Sequence, residues 1–326
     1  MTLLTAIATA CAVIIAVLAV AALRRDAPGR GATAAAYPAY LAAEMSPPDG
    51  ASTWREPADV AIGERRWLLD TGNNRVIEFA ADGAIARTLV TDPPLSRPMA
   101  LATDGLNVYV ADSGAARVVV LAADGGMLRA FPVGGLPGDT LSARPIGIAV
   151  AANGDVLVAD AANHRVLRYA ARGQLLWSFG EGRRAAGTAG LNTPGGLALD
   201  MAGNIYAVDI LNGRVVKLSP QGVYLAEYGR LGDTAGTLAR PKDVAVDAAG
   251  NVYVSDSLLA AVQVFGPDGE YRGFIGRKDS TDRGSGALFR FPAGLAISAG
   301  PSGSGPALYV VDRLSSVFVF ELPGAP

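Results

Sequence analysis

The sequence predicts an all-β chain: a six-bladed β-propeller of four-stranded antiparallel blades behind one N-terminal transmembrane helix. Three observations carry this expectation. An aspartate recurs as Asp70, Asp112, Asp160, Asp209, Asp256 and Asp312, at intervals of 42, 48, 49, 47 and 56 residues, which is the period of propeller blades. Short runs rich in valine and isoleucine alternate with glycine turns around those aspartates, the pattern of strands joined by tight hairpins. Leu3 to Leu23 is 21 residues without a charge, as a helix about 30 Å long and so matched to one hydrocarbon core.

The N-terminal segment lacks the basic start and the shorter apolar region of a cleaved signal peptide, so residues 1–24 read as an uncleaved single-pass anchor. Residues 25–53 are rich in alanine, glycine and proline with no sustained period, hence a flexible linker. Residues 54–326 hold the propeller. Arg24, Arg25 and Arg30 follow the span, and the positive-inside rule alone would keep the propeller cytoplasmic. Anchored propellers usually look outward, and the extracytoplasmic orientation is the expectation taken here.

Within the propeller each unit is legible. "RPIGIAVAANGDVLVADAANHRVLRYAARGQLLWSFG" (144–180) is echoed at 193–229 and again at 240–276. Its runs "GIAVA" and "DVLVA" flank a glycine turn, "RVLRY" follows the aspartate loop, and "LLWSF" makes an outer strand. A blade alone cannot bury both faces, so neighbours must cover it. Only four residues follow "SVFVFEL" (316–322), too few for an outer strand. Ring closure therefore calls for a strand from residues 37–56, which also protects the open edge.

The loop "DAANHRV", followed by Phe-Gly, a glycine-rich stretch and a proline before the next strand, resembles the NHL-repeat family of six-bladed propellers. The resemblance covers about 54–326. The fifth and sixth blades depart from it, with "DSLLAAV" and "DRLSSV" lacking the asparagine and arginine. The aspartate stands in all six blades, and Arg75, Arg117, Arg165 and Arg214 stand in four. A motif repeated in every unit is architecture: the carboxylate accepts loop N–H groups and the arginine braces it.

Chemistry has few carriers. His164 is the only histidine and occupies a repeat position filled elsewhere by Asn74, Ala116, Gly213, Ala260 and Ser316, so it reads as a loop residue and not a base. Cys11 is the only cysteine, which excludes an intrachain disulfide and a thiolate cluster. Zinc held by several histidines, as in the amidating lyases with similar propellers, is excluded because one histidine cannot supply it. Six-bladed enzymes similar to gluconolactonases bind calcium in the channel, and the resemblance carries that possibility over. The residues two after each blade's first proline form a ring of Asp59, Ala100, Gly147, Gly196, Asp243 and Gly294. Asp59 and Asp243 are its only carboxylates and the candidate calcium ligands.

The working surface expected from the repeat is the face bearing the outer-to-inner connections, where loops vary on a rigid ring. Those connections hold ten lysines and arginines against six acids. Arg97, Arg144, Arg240, Lys242, Arg277 and Lys278 are the candidate binding residues, for a protein or a small anionic ligand. Net charge is −2, which argues against a nucleic-acid partner. The expected function is a membrane-tethered, non-catalytic binding or sensor propeller. The competing expectation is a hydrolase or lyase that uses a divalent metal at Asp59 and Asp243.

Overall fold

The computed structural model describes residues 36–46, 54–80, 84–276, 288–298, 305–314 and 316–323. Its 24 strands form six four-stranded antiparallel sheets. Blade one is β2 (Pro57–Ile62), β3 (Arg66–Asp70), β4 (Arg75–Phe79) and β5 (Ile85–Leu89); blade two is β6 (Pro98–Thr103), β7 (Asn107–Asp112), β8 (Arg117–Ala122) and β9 (Met127–Pro132). Blade three is β10 (Pro145–Val150), β11 (Val156–Asp160), β12 (Arg165–Tyr169) and β13 (Leu175–Phe179); blade four is β14 (Pro194–Leu199), β15 (Ile205–Asp209), β16 (Arg214–Leu218) and β17 (Tyr224–Tyr228). Blade five is β18 (Pro241–Val246), β19 (Val252–Asp256), β20 (Ala261–Phe265) and β21 (Tyr271–Ile275). Blade six is β22 (Pro292–Ser298), β23 (Ala307–Asp312), β24 (Val317–Glu321) and, from the N-terminal side, β1 (Tyr40–Met45).

The apolar side chains of these strands make six layers, one between each adjacent pair of blades. Ala100, Val118 and Val120 of blade two, for example, pack on Ile148, Val156 and Val158 of blade three. Both faces of each blade are therefore buried against a neighbour, and stability depends on an unbroken ring.

Closure comes from β1, which pairs with β24 from Tyr40↔Glu321 to Met45↔Val317. Met45 and Trp54 are buried in the layer between blades six and one. Just before β1, Tyr37 N–H donates to Phe274 O at 2.8 Å, and its hydroxyl lies 3.2 Å from that of Tyr253. The segment therefore fastens blade five as well as completing blade six. The closing strand lies within 37–56, as the missing outer strand requires. It also lies inside the stretch read as flexible linker, so the ring begins ahead of residue 54. A linker-like composition hid the strand because its burial pattern, five exposed residues and then Met45, leaves no alternation to read.

Residues 3–23, Arg277 and Lys278 lie outside the described residues. Among the described residues no helix is long and apolar enough to cross a membrane.

Candidate functional site

The repeated aspartates end the second strand of each blade, opposite the proline that starts the first. All six are buried. Asp70 shows why: Oδ1 accepts the Arg55 N–H at 2.7 Å, while Oδ2 accepts Asn73 Nδ2 and Arg75 Nε at 2.8 and 2.7 Å. Arg117 and Arg214 bond Asp112 and Asp209 in the same way, and Arg214 also holds Gly187 O and Gly190 O of the preceding connection. Blade three differs. Arg165 pairs with Asp139 of the 132–144 connection at 3.1 Å, and Asn163 takes the inner oxygen of Asp160. Blade five has no arginine, and Asp256 instead accepts the N–H groups of Ala239, Arg240, Leu258 and Leu259. These carboxylates have their lone pairs occupied by the loop, so they build the face and leave the chemistry elsewhere.

His164 belongs to the same scaffold. Asn74, Ala116, His164, Gly213 and Ala260 all adopt the left-handed conformation, with φ between 49° and 63°, which closes the loop and costs a side chain little only where it is small or polar. The imidazole does more than tolerate the position: its Nδ1 accepts the Thr193 N–H at 2.9 Å. Asn74 Oδ1 accepts the Arg97 N–H at 2.7 Å in the equivalent place.

The inner strands converge on a closely packed ring. A Cβ added to Gly294 would lie 2.5 Å from Asp59 Oδ1, and one added to Gly196 would overlap Asp243 Oδ1. Glycine is thus required where the carboxylates pass. Asp59 Oδ1 accepts Val60 N–H and its Oδ2 accepts Leu101 N–H of blade two, both at 2.8 Å. Asp243 repeats this with Val244 at 2.9 Å and Leu295 of blade six at 2.7 Å. Each carboxylate ties its blade to the next, and the pair brackets blade six. Burial first, then the charge of Asp243, pushes the Asp59 carboxyl well above the usual carboxylate range. Burial pushes Asp243 up to about 7 against the pull of its two N–H bonds.

Both carboxylates line a cavity of about 140 Å³ at the channel mouth, walled by glycines, alanines and aliphatic side chains. At its rim Lys242 Nζ lies 5.5 Å and Arg313 Cζ 5.9 Å from the centre of the Phe291 ring. Arg313 also pairs with Glu56 at 3.1 Å. Among the described residues no carboxylate lies within ion-pair distance of Lys242. Burial, then Arg240 and Arg313, lowers the Lys242 pKa. Val60, Leu101, Ile148 and Leu197 line both this cavity and the recess at the opposite mouth, forming an apolar collar in the channel.

Of the residues expected from the sequence, Asp59, Asp243 and Lys242 come together here. Arg97, Arg144 and Arg240 are exposed on the same face but do not line the cavity; their backbone N–H groups serve Asn74, Asp160 and Asp256. Arg313 and Phe291 were not expected. Arg313 follows its aspartate where other blades place Thr71, Ser113, Ala161, Ile210 and Ser257, a departure from the repeat that was available as a signal.

A family model for the NHL repeat matches residues 143–169. None of the curated proteins matches the chain. Virginiamycin B lyase from Staphylococcus aureus is similar in structure, at 14% identity and a TM-score of 0.59, over 86% of this chain and 99% of the lyase. A gluconolactonase from Xanthomonas campestris is similar at 17% identity and a TM-score of 0.59, over 89% of this chain and 99% of that one. A Bacteroides thetaiotaomicron protein of unknown function is similar at 16% identity and a TM-score of 0.66, over 86% of this chain and 73% of its own. At these identities the likeness speaks for the fold. The repeat matched at the third blade, set in a ring of six blades built on the same aspartate loop, supports the NHL-repeat propeller family for this chain.

Proposed function

We propose that this propeller is a non-catalytic binding module that takes an anionic group at the mouth of its channel. The observation that carries this reading is Lys242: an ammonium partly withdrawn from water, without an acidic partner among the described residues, and set beside Arg313 on one aromatic ring. An incoming anion relieves the repulsion among Lys242, Arg240 and Arg313 at the mouth of the cavity. Calorimetric titration of the full chain with inorganic phosphate and with acetate tests this. Saturable binding that is lost in Lys242→Met and in Arg313→Met is expected; titrations that stay flat for both anions overturn it. On this reading residues 3–23 tether the chain and the propeller lies outside the cytoplasm. Protease shaving of intact cells tests the orientation, with a fully protected propeller counting against it.

The aspartate pair favours a second reading, an enzyme of the hydrolase or lyase class. A carboxyl that titrates near neutrality is suited to move protons. Calcium at the pair fits less well. All four oxygens already accept N–H groups, Lys242 and Arg313 add positive charge at the rim, and among the described residues no group of three metal-ligating side chains forms. A rise in melting temperature with calcium, lost in Asp59→Asn with Asp243→Asn, would nonetheless establish that site.

A further inference from the structure

The face that carries the aspartate loops also presents three leucines at one repeat position, two residues after the aspartate. Leu211, Leu258 and Leu314 are 48%, 68% and 65% exposed, on three consecutive blades. In blades one and two the same position is glycine for a packing reason: a Cβ on Gly72 would lie 2.6 Å from Arg55 O, and one on Gly114 2.5 Å from Ser96 O. Blade three has Ala162. Blades four to six leave room, and each fills it with a large apolar side chain aimed at solvent.

Two of these leucines stand on a fixed backbone. Leu258 N–H and Leu314 N–H each donate to the buried carboxylate of their own loop at 3.0 Å, which fixes the backbone beneath the side chain. Equivalent positions in a ring of repeats stand at one height above it, so the three tips define a plane. Arg240 and Arg290 are exposed in the same sector, beside Lys242 and Arg313 at the channel mouth. The hairpins of the opposite face carry Asp104, Asp124, Asp155, Asp200, Asp247 and Asp268. An anionic surface is therefore drawn to one face and repelled by the other.

We propose that this face docks on an anionic lipid surface, with Leu211, Leu258 and Leu314 entering its apolar boundary and the surrounding arginines meeting its headgroups. The proposal rests on the reading of the rim as anion-binding and names the partner. A membrane suits three separated tips on a plane, because it accepts each leucine wherever it falls. A folded acidic protein would need three pockets at the same spacing.

The test uses the full chain with Cys11→Ser and Leu258→Cys carrying an environment-sensitive fluorophore, and a control chain labelled at Met201→Cys on the opposite face, where Met201 is 86% exposed. Each is reconstituted with phosphatidylcholine vesicles and with vesicles containing phosphatidylglycerol. The label at 258 is expected to brighten and shift to the blue only with phosphatidylglycerol, and to revert at about 0.5 M salt. Leu211→Ser and Leu314→Ser in that chain should each weaken the response on the order of tenfold. A silent label at 258, an equal response at 201, or a response to soluble polyglutamate in place of vesicles overturns the proposal. A chain that binds no phosphate yet shows the response at 258 removes the cavity reading and leaves docking standing; phosphate binding with a silent label does the reverse.

Discussion

His164 Nδ1 accepts the Thr193 N–H at 2.9 Å, so the single histidine joins the third blade's loop to the residue that precedes the fourth blade. The bond requires an unprotonated Nδ1. Burial lowers the imidazole pKa below its ordinary 6.5, with Arg184 and Arg144 acting in the same direction and Asp160 and Asp209 opposing them. The unfolded chain then binds the proton more readily, so this contribution is complete above 6.5 and is lost as pH falls toward the folded-state value. His164→Asn should keep the bond, as Asn74 does with Arg97, and should remove this part of the acid sensitivity. Melting temperatures of both chains between pH 8 and 5 check it; parallel curves would show that the strut does not titrate.

The aspartate pair has the opposite sign. Asp59 and Asp243 are raised in the folded chain, so the stability they contribute is full below the unfolded value of 3.8 and is lost as pH rises through about 7 for Asp243. Asp243→Asn should flatten stability against pH between 5 and 8. It should cost little at pH 5, because the protonated carboxyl it replaces already turns one O–H toward the N–H of Val244 or Leu295, as the amide N–H does. Denaturant titrations at pH 5, 6.5 and 8 measure both effects, and an unchanged slope would dissociate the pair from the pH profile.

Gly196 and Gly294 sit where a Cβ would meet the Asp243 and Asp59 carboxylates. Gly196→Ala or Gly294→Ala is expected to destabilise the ring by about 1–3 kcal/mol through overpacking. Ala100, at the same repeat position, is accommodated, so Ala100→Gly should have a smaller effect. Equal tolerance of all three substitutions in thermal melts would show that the ring yields to an added methyl group.

Met45 is 5% exposed in the layer between blades six and one. Met45→Ala should cost about 2–5 kcal/mol. Deleting residues 36–46 should cost more, since it strips β24 of its partner along the open edge. Full retention of thermal stability in the deletion would mean that the ring closes without its N-terminal strand.

The blade was legible in the sequence because its determinants are local. Alternating aliphatic residues, turn glycines and an aspartate that satisfies its own loop all fall within one repeat, and copies reinforced one another. The same regularity obscured the site. Arg97, Arg144 and Arg240 look like a rim in sequence, but their backbone positions are fixed by Asn74, Asp160 and Asp256 and their side chains stand off the cavity. His164 looked like a filler because its partner, Thr193, is on the following connection.

By itself, then, the sequence determined the repeat, the number of blades, the need for a borrowed strand and the pair of aspartates in the inner ring. Tertiary structure alone decided that β1 is that strand, that Asp59 and Asp243 bracket blade six, and that Lys242 meets Phe291 and Arg313 at the mouth. The reason is physical: these residues belong to blades one, five and six, and nothing in any single repeat brings them together. They become neighbours only when the ring closes around its axis.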